Sequence, residues 1–248
     1  MKTLIAANWK MNGDLSWAQK PEVFRQVFKV EQESVDILIC PPAYLIPSLV
    51  AASKSLDISI GAQDCHFATG GAFTGEMSAS MMADAGAKYV IVGHSERRAL
   101  FGESDEVVAK KAAAVNDTGM IPIICVGENR GQREAGQADE IVGAQLIGSL
   151  PENTYPATLI IAYEPVWAIG TGLIPTLEDI ASMHDHIRGI LGTLFGENKA
   201  STVPILYGGS VKPSNAKEIL ALSDVNGALI GGASLDMDSL AAIAKCAP

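Results

Sequence analysis

The sequence predicts an α/β protein built as a single closed (β/α)8 barrel over residues 1–248. Three observations predict it. Short apolar runs that end in small or polar residues recur eight times, each followed by a connecting stretch, with a spacing of about 32 residues, the size of one βα unit. Most of the runs are continuously apolar rather than alternating, as expected of parallel strands buried on both faces. A chain of 248 residues with 48% hydrophobic content and no low-complexity linker fits one large closed sheet with a sizeable core. An open doubly wound sheet is the alternative, and eight βα units favour closure. Neither a GxGxxG fingerprint nor a GxxxxGK[ST] loop is present, so nucleotide binding has no support.

The runs are TLIAAN from Thr3, DILIC from Asp36, ISIGAQ from Ile58, YVIVGHS from Tyr89, IPIICVGE from Ile121, TLIIAYE from Thr158, VPILYGGS from Val203 and GALIGG from Gly227. Between them, VVAKKAAAV from Val107 predicts a helix, with Ser104 and Asp105 as candidate caps. TLEDIASMHDHIRGIL predicts another from Thr176, with Glu178 and Asp179 suiting the positive end of its dipole. SLDMDSLAAIAK predicts a last helix capped by Ser234.

The formal net charge of -10 argues against a nucleic-acid partner, which needs a basic footprint. A small anion still fits if the site is locally positive. Cys40, Cys65, Cys125 and Cys246 are too far apart in sequence for a zinc or redox pair and read as reduced thiols in a cytoplasmic protein. The apolar stretch in MKTLIAANWK is shorter than a secretory leader needs, and no stretch is long enough to span a membrane, so the expectation is a soluble protein.

In such a barrel the chemistry lies where strands end and βα loops begin. The residues there are Asn8 and Lys10; Cys40; Gln63 and Asp64; His94, Ser95 and Glu96; Gly127 and Glu128; Glu164; Gly208, Gly209 and Ser210; Gly231 and Gly232. Glu164, directly after TLIIAY, is the candidate base. Apolar surroundings predict a raised pKa and a stronger base. A salt-bridged strand-end Glu is the competing reading. The segment VWAIGTGLIPT, 166–176, is longer and more apolar than an ordinary barrel loop. It predicts a lid hinged at Pro165-Val166-Trp167 and at Leu173-Ile174-Pro175, against a loop packed permanently on the barrel. His94 opens HSERR, where a helix N-terminus would hold the imidazole neutral and able to donate to a carbonyl oxygen, against a purely structural His. The motif is not HExxH and has no third ligand nearby, so no metal is expected. Lys10 supplies the positive charge an anion needs; a Schiff-base nucleophile and a surface lysine are its other readings. Glycines at 208–209 and 231–232 let backbone N–H groups approach an anion, and the seventh and eighth loops are frequent phosphate sites in barrels. His184 and His186, two apart on a helix, make a poor metal pair; Lys110-Lys111 reads as a solvated face and Cys125 as core.

NWK at 8–10, GHSERR at 93–98, AYEPVWAIGTG at 162–172, YGGS at 207–210 and the glycine pair at 231 occur in the order found in the triosephosphate isomerase family. The chain resembles that family over essentially its whole length, which implies a TIM barrel. The resemblance also implies interconversion of dihydroxyacetone phosphate and D-glyceraldehyde 3-phosphate through an enediolate, in glycolysis and gluconeogenesis, with no metal or organic cofactor. It implies that Glu164 moves the proton between carbons and that neutral His94 polarises the carbonyl. Lys10 and Asn8 would bind substrate and stabilise the enediolate, and Glu96 would position the cluster. Gly170, Ser210, Gly231 and Gly232 would hold the phosphate, and Tyr207 would latch the lid. CHFATGGAFTGE, from Cys65 to Glu76, would be the interdigitating loop of a homodimer, with Thr74 near the partner's site; Phe67 and Phe73 suit burial there better than solvent. The sequence departs from the family pattern at Leu173 and Asp236, where Lys is common, and at Pro175, which stiffens the second hinge. A Schiff-base aldolase acting through Lys10 and an inactive phosphosugar-binding protein are the competing functions.

Overall fold

The computed structural model describes residues 1–29, 34–169, 173 and 175–248. All eight runs are strands: β1 Thr3–Asn8, β2 Val35–Cys40, β3 Ile58–Ala62, β4 Tyr89–Val92, β5 Ile121–Val126, β6 Ile160–Tyr163, β7 Ile205–Tyr207 and β8 Gly227–Ile230. Each pairs in parallel with the next, and β1 pairs with β8, so the sheet closes into a barrel. β6 starts two residues later than TLIIAYE suggested, because Pro156–Thr158 turn as a 3-10 helix before it.

Strand alternation divides the core into two shells. Leu4 and Ala6 of β1, Leu38 of β2, Ile123 of β5 and Ile160 and Ala162 of β6 pack together inside the barrel. The residues of opposite parity, such as Ile5, Ala7, Ile37 and Ile161, pack against the surrounding helices. Both faces are therefore apolar, which is why the runs do not alternate in polarity. Counting on by twos past the strand ends leads from Ala6 to Asn8 and Lys10, from Ala162 to Glu164, and from Leu229 to Gly231. At the carboxyl end of the barrel the inward parity turns polar or bare; at the amino end the same parity carries the exposed Lys2–Asp36 pair.

The outer layer comprises α1 Lys20–Val27, α2 Ile46–Ser53, α3 Ala79–Asp84, α4 Ser95–Phe101, α5 Asp105–Asp117, α6 Arg130–Glu134, α7 Ala138–Ser149, α8 Leu177–Phe195, α9 Glu197–Ala200, α10 Ala216–Leu220 and α11 Met237–Ala244. Ser104 caps α5, and Thr176 with Asp179 forms a capping box on α8. The last helix differs from expectation. Its cap is Asp236, whose carboxylate accepts the Ser239 N–H at 2.9 Å, while Ser234 lies in a preceding 3-10 turn and donates to the Gly231 carbonyl at 2.7 Å. Asp236 thus has a local role as the cap of this helix. Lys110 is solvated, as expected, but Lys111 is 4% exposed and bonds Asp64 at 2.7 Å and Glu103 at 2.6 Å. Among the described residues no helix is long and apolar enough to cross a membrane.

Candidate active site

The inward residues at the carboxyl ends of β1, β4, β6, β7 and β8 converge on a cleft of about 290 Å³. Asn8, Lys10, His94 and Glu164 line it together with Gly208, Gly209, Ser210, Gly231 and Gly232.

Glu164 is 2% exposed and held from three directions. Its Oε1 lies 2.9 Å from His94 Nε2, Ser95 N–H donates to Oε2 at 2.9 Å, and Ser95 Oγ donates to Oε1 at 3.3 Å. Burial pushes the carboxyl up, but His94, the Ser95 N–H and Lys10 outweigh it and hold Glu164 below its ordinary value. This corrects the raised pKa expected from an apolar setting: Ser95 is distant in sequence and supplies solvation that burial removes. For His94, burial pushes the pKa down, but the adjacent Glu164 carboxylate more than offsets this and the net direction is up. The helix terminus acts against that attraction. His94 is the N-cap of α4, and its Nδ1 accepts the Glu96 N–H at 3.3 Å. The Nδ1 lone pair is thus occupied by a donor, and the ring proton belongs on Nε2, facing Glu164 and the cleft. The simple expectation of a neutral imidazole is therefore narrowed to an imidazole whose charge depends on how close Glu164 stays.

Lys10 adopts φ 51, a left-handed conformation unusual for a residue with a side chain. Asn8 Oδ1 accepts its N–H at 3.0 Å, and Gln63 Nε2 donates to its carbonyl at 2.8 Å. These bonds hold the strained turn so that Nζ reaches Glu96 Oε1 at 2.5 Å. Glu96 thus meets Lys10 through its carboxylate and His94 Nδ1 through its N–H.

The glycines have two distinct reasons. A Cβ at Gly208 would lie 2.9 Å from Glu164 Cγ, and one at Gly209 would lie 2.2 Å from the Tyr207 hydroxyl. That pair clears room for neighbouring side chains. A Cβ at Gly232 would meet nothing within 4 Å and would project into the open cleft. Gly231 precedes the 3-10 turn Gly232–Leu235, and Gly231, Gly232 and Ala233 line the cleft. Lys212, which the motifs did not single out, lines the cleft two residues after Ser210.

The segment expected to be a lid is described at its start. Pro165 leads into the turn Val166–Ala168, Trp167 Nε1 donates to Glu128 Oε1 at 2.7 Å, and Ile169 lines the cleft. Tyr163 Oη donates to the same Glu128 oxygen at 3.1 Å, so a fully buried carboxylate anchors the first hinge. Pro175 is buried and Leu173 exposed. Gly170, with 171, 172 and 174, lies outside the described residues, and so do the lid tip and part of its second hinge. Among the described residues no group of three His, Cys, Asp or Glu side chains is arranged to hold a metal ion.

A closed barrel with a buried carboxylate–imidazole pair, a lysine and a glycine-lined wall at its carboxyl rim defines a barrel enzyme of the acid–base kind. A family model described as triosephosphate isomerase matches residues 3–247. The chain is 52% identical to a triosephosphate isomerase of Afipia carboxidovorans, over 100% of this chain and 98% of that one, and 52% identical to one of Ruegeria pomeroyi, over 94% and 92%. A crystal structure of triosephosphate isomerase from Bartonella henselae superposes with a TM-score of 0.91 at 39% identity, covering 99% of both chains. The chain belongs to the triosephosphate isomerase family.

Proposed function

We propose that the chain interconverts dihydroxyacetone phosphate and D-glyceraldehyde 3-phosphate in the cytoplasm, serving glycolysis and gluconeogenesis. The reading rests most on one observation: the Glu164–His94 pair, 2.9 Å apart, lines the same cleft as Ser210 and the glycines at 208–209 and 231–232. Glu164 takes a proton from the carbon beside the carbonyl and returns it to the neighbouring carbon. His94 donates its Nε2 proton to the carbonyl oxygen and shuttles a proton between the two oxygens. Lys10 and Asn8 bind substrate and stabilise the developing enediolate, with Glu96 positioning them. Ser210, Gly231 and Gly232 take the phosphate, joined by Gly170 from the lid, and Tyr207 latches the lid shut. Substrate entering between Glu164 and His94 removes the carboxylate that raises the imidazole's pKa, so burial and the α4 terminus then favour the neutral donor. The reaction needs no redox or metal chemistry, since only protons move.

The proposed assembly is a homodimer through residues 65–76, with no nucleic acid and no membrane as partner. A coupled isomerase assay on Glu164→Asp tests the base. Shortening the side chain withdraws the carboxylate by roughly 1 Å, which costs on the order of 100-fold in kcat. Turnover at the wild-type rate would remove Glu164 from this role, and a borohydride-trapped adduct on Lys10 would replace the reaction altogether.

A further inference from the structure

The end of β5 is fastened by a side chain rather than by a strand. Gly127 N–H donates to Gln145 Oε1 at 2.7 Å, and Gln145 Nε2 donates to the Gly127 carbonyl at 3.2 Å. The β5–β6 ladder runs to Val126 opposite Tyr163, and the β4–β5 ladder stops earlier, at Val92 opposite Ile124. Gly127 therefore lies beyond both ladders. Gln145, half-buried on α7, supplies the acceptor and donor that another strand would otherwise provide.

Gly127 is also where β5 presses on the candidate base. A Cβ there would lie 1.7 Å from the Glu164 carbonyl oxygen and 3.3 Å from its Cα. The residues on either side carry the same strand end. Val126 O accepts the Glu164 N–H at 2.8 Å, and Glu128 O accepts the Val166 N–H at 3.1 Å. Behind Glu164 lies a chamber of about 220 Å³ with Ser95, Arg98 and Gln145 on its walls. His94 and Ser95 hold the carboxylate itself, and the main chain that carries it rests against Gly127.

We infer that Gln145 is a positioning residue for the isomerisation: through its paired hydrogen bonds to Gly127 it fixes the main chain of Glu164 without touching substrate. The inference rests on the reading of Glu164 as the base. Gln145→Leu keeps the approximate bulk and removes both hydrogen bonds. Its kcat is expected to fall about 10-fold to 100-fold, the scale of a sub-ångström to 1 Å misplacement, with KM within about twofold of wild type. Inhibition by inorganic phosphate should be unchanged, because the proposed phosphate residues Ser210, Gly231 and Gly232 follow β7 and β8 rather than β5 or β6. Gln145→Glu retains the acceptor for the Gly127 N–H and loses the donor, so an intermediate kcat is expected. If Gln145→Leu does not fold, Gln145→Glu decides alone. Wild-type kcat in either folded variant overturns the inference, as does a loss of phosphate affinity equal to the loss of kcat, which marks general loosening. A slow Glu164→Asp beside unaffected Gln145 variants sinks only the positioning role; a wild-type Glu164→Asp sinks the base reading beneath it.

Discussion

Glu164 and His94 titrate in opposite directions from their ordinary values, and both shifts arise from the same contact. The lowered carboxylate stabilises the fold above its ordinary value of 4.5 and loses that contribution as pH falls through its folded value. The raised imidazole stabilises below 6.5 and loses its contribution as pH rises through its folded value. The pair therefore helps the fold most between those two values, while the proposed mechanism needs the imidazole freed from the carboxylate. His184 is the opposite case. It is fully buried on α8, its Nδ1 lies 3.0 Å from the Asp224 carbonyl, and burial pushes its pKa down to about 4 from 6.5. In the unfolded chain this imidazole takes up a proton near 6.5, so stability is complete at neutral pH and drains away as pH falls from 6.5 to 4. The loss attributable to this one group is roughly 3 kcal/mol. His184→Asn keeps a donor near the Nδ1 position and removes the titration. Urea unfolding across that pH range should be flatter for the variant by about that amount; parallel curves would assign the acid sensitivity to other groups.

At the scale of the element, the carboxyl end of β3 is tied to the helices by charge. Lys111 of α5 bonds Asp64 and Glu103, and Arg97 of α4 bonds the same two carboxylates at 2.8 and 2.6 Å. Burial raises the Asp64 pKa despite these partners, whereas for Glu103 the two cations outweigh burial and the direction is down. Lys111→Met would leave two carboxylates sharing one guanidinium, at a cost of roughly 3–5 kcal/mol. Denaturation at neutral pH should reveal it, and the deficit should shrink on acidification as a carboxylate takes up a proton; a deficit independent of pH would point to packing instead. From the sequence, Lys110 and Lys111 were indistinguishable, since the helix face each occupies depends on what α5 packs against. The same limit hid Gln145 altogether and the partners of Ser95 and Gln63, which the strand ends had marked; the bonds of Ser95, Gln63 and Gln145 span 69, 53 and 18 residues. The strands and the inward parity at their ends were legible, because a buried parallel strand must be apolar on both faces and the mouth of the barrel is where polarity can return. The Glu164 pKa was misread for the same reason as Lys111: burial can be inferred from neighbours in sequence, solvation by distant groups cannot.

The whole molecule leaves apolar surface uncovered on one side of the cleft. Met11 is 95% exposed, Leu100 76% and Phe101 68%, and Phe67 and Phe73 protrude from the loop at 65–76, stacked on His66. Met11, Leu100 and Phe101 line a second cavity of about 670 Å³ whose inner wall is Lys10, His94 and Glu96. The strained Lys10 turn is thus bounded on one face by its own barrel and on the other by open space. A loop carrying two aromatic rings fits that space in shape and polarity, and the protruding loop of a second copy supplies one under two-fold symmetry. An acidic chain of net charge -10 gains nothing from charge in pairing with itself, so apolar contact would have to drive the proposed association. Phe73→Arg places a cation in that contact and is expected to give a folded monomer by sedimentation. Its kcat should fall on the order of 100-fold, because the Lys10 turn loses its outer support and a displacement near 1 Å suffices. For wild type, specific activity should decline on dilution with the same midpoint as the dimer-to-monomer transition. A dimeric Phe73→Arg, or a monomer with full activity, would separate assembly from catalysis and leave Lys10 held by Asn8 and Gln63 alone.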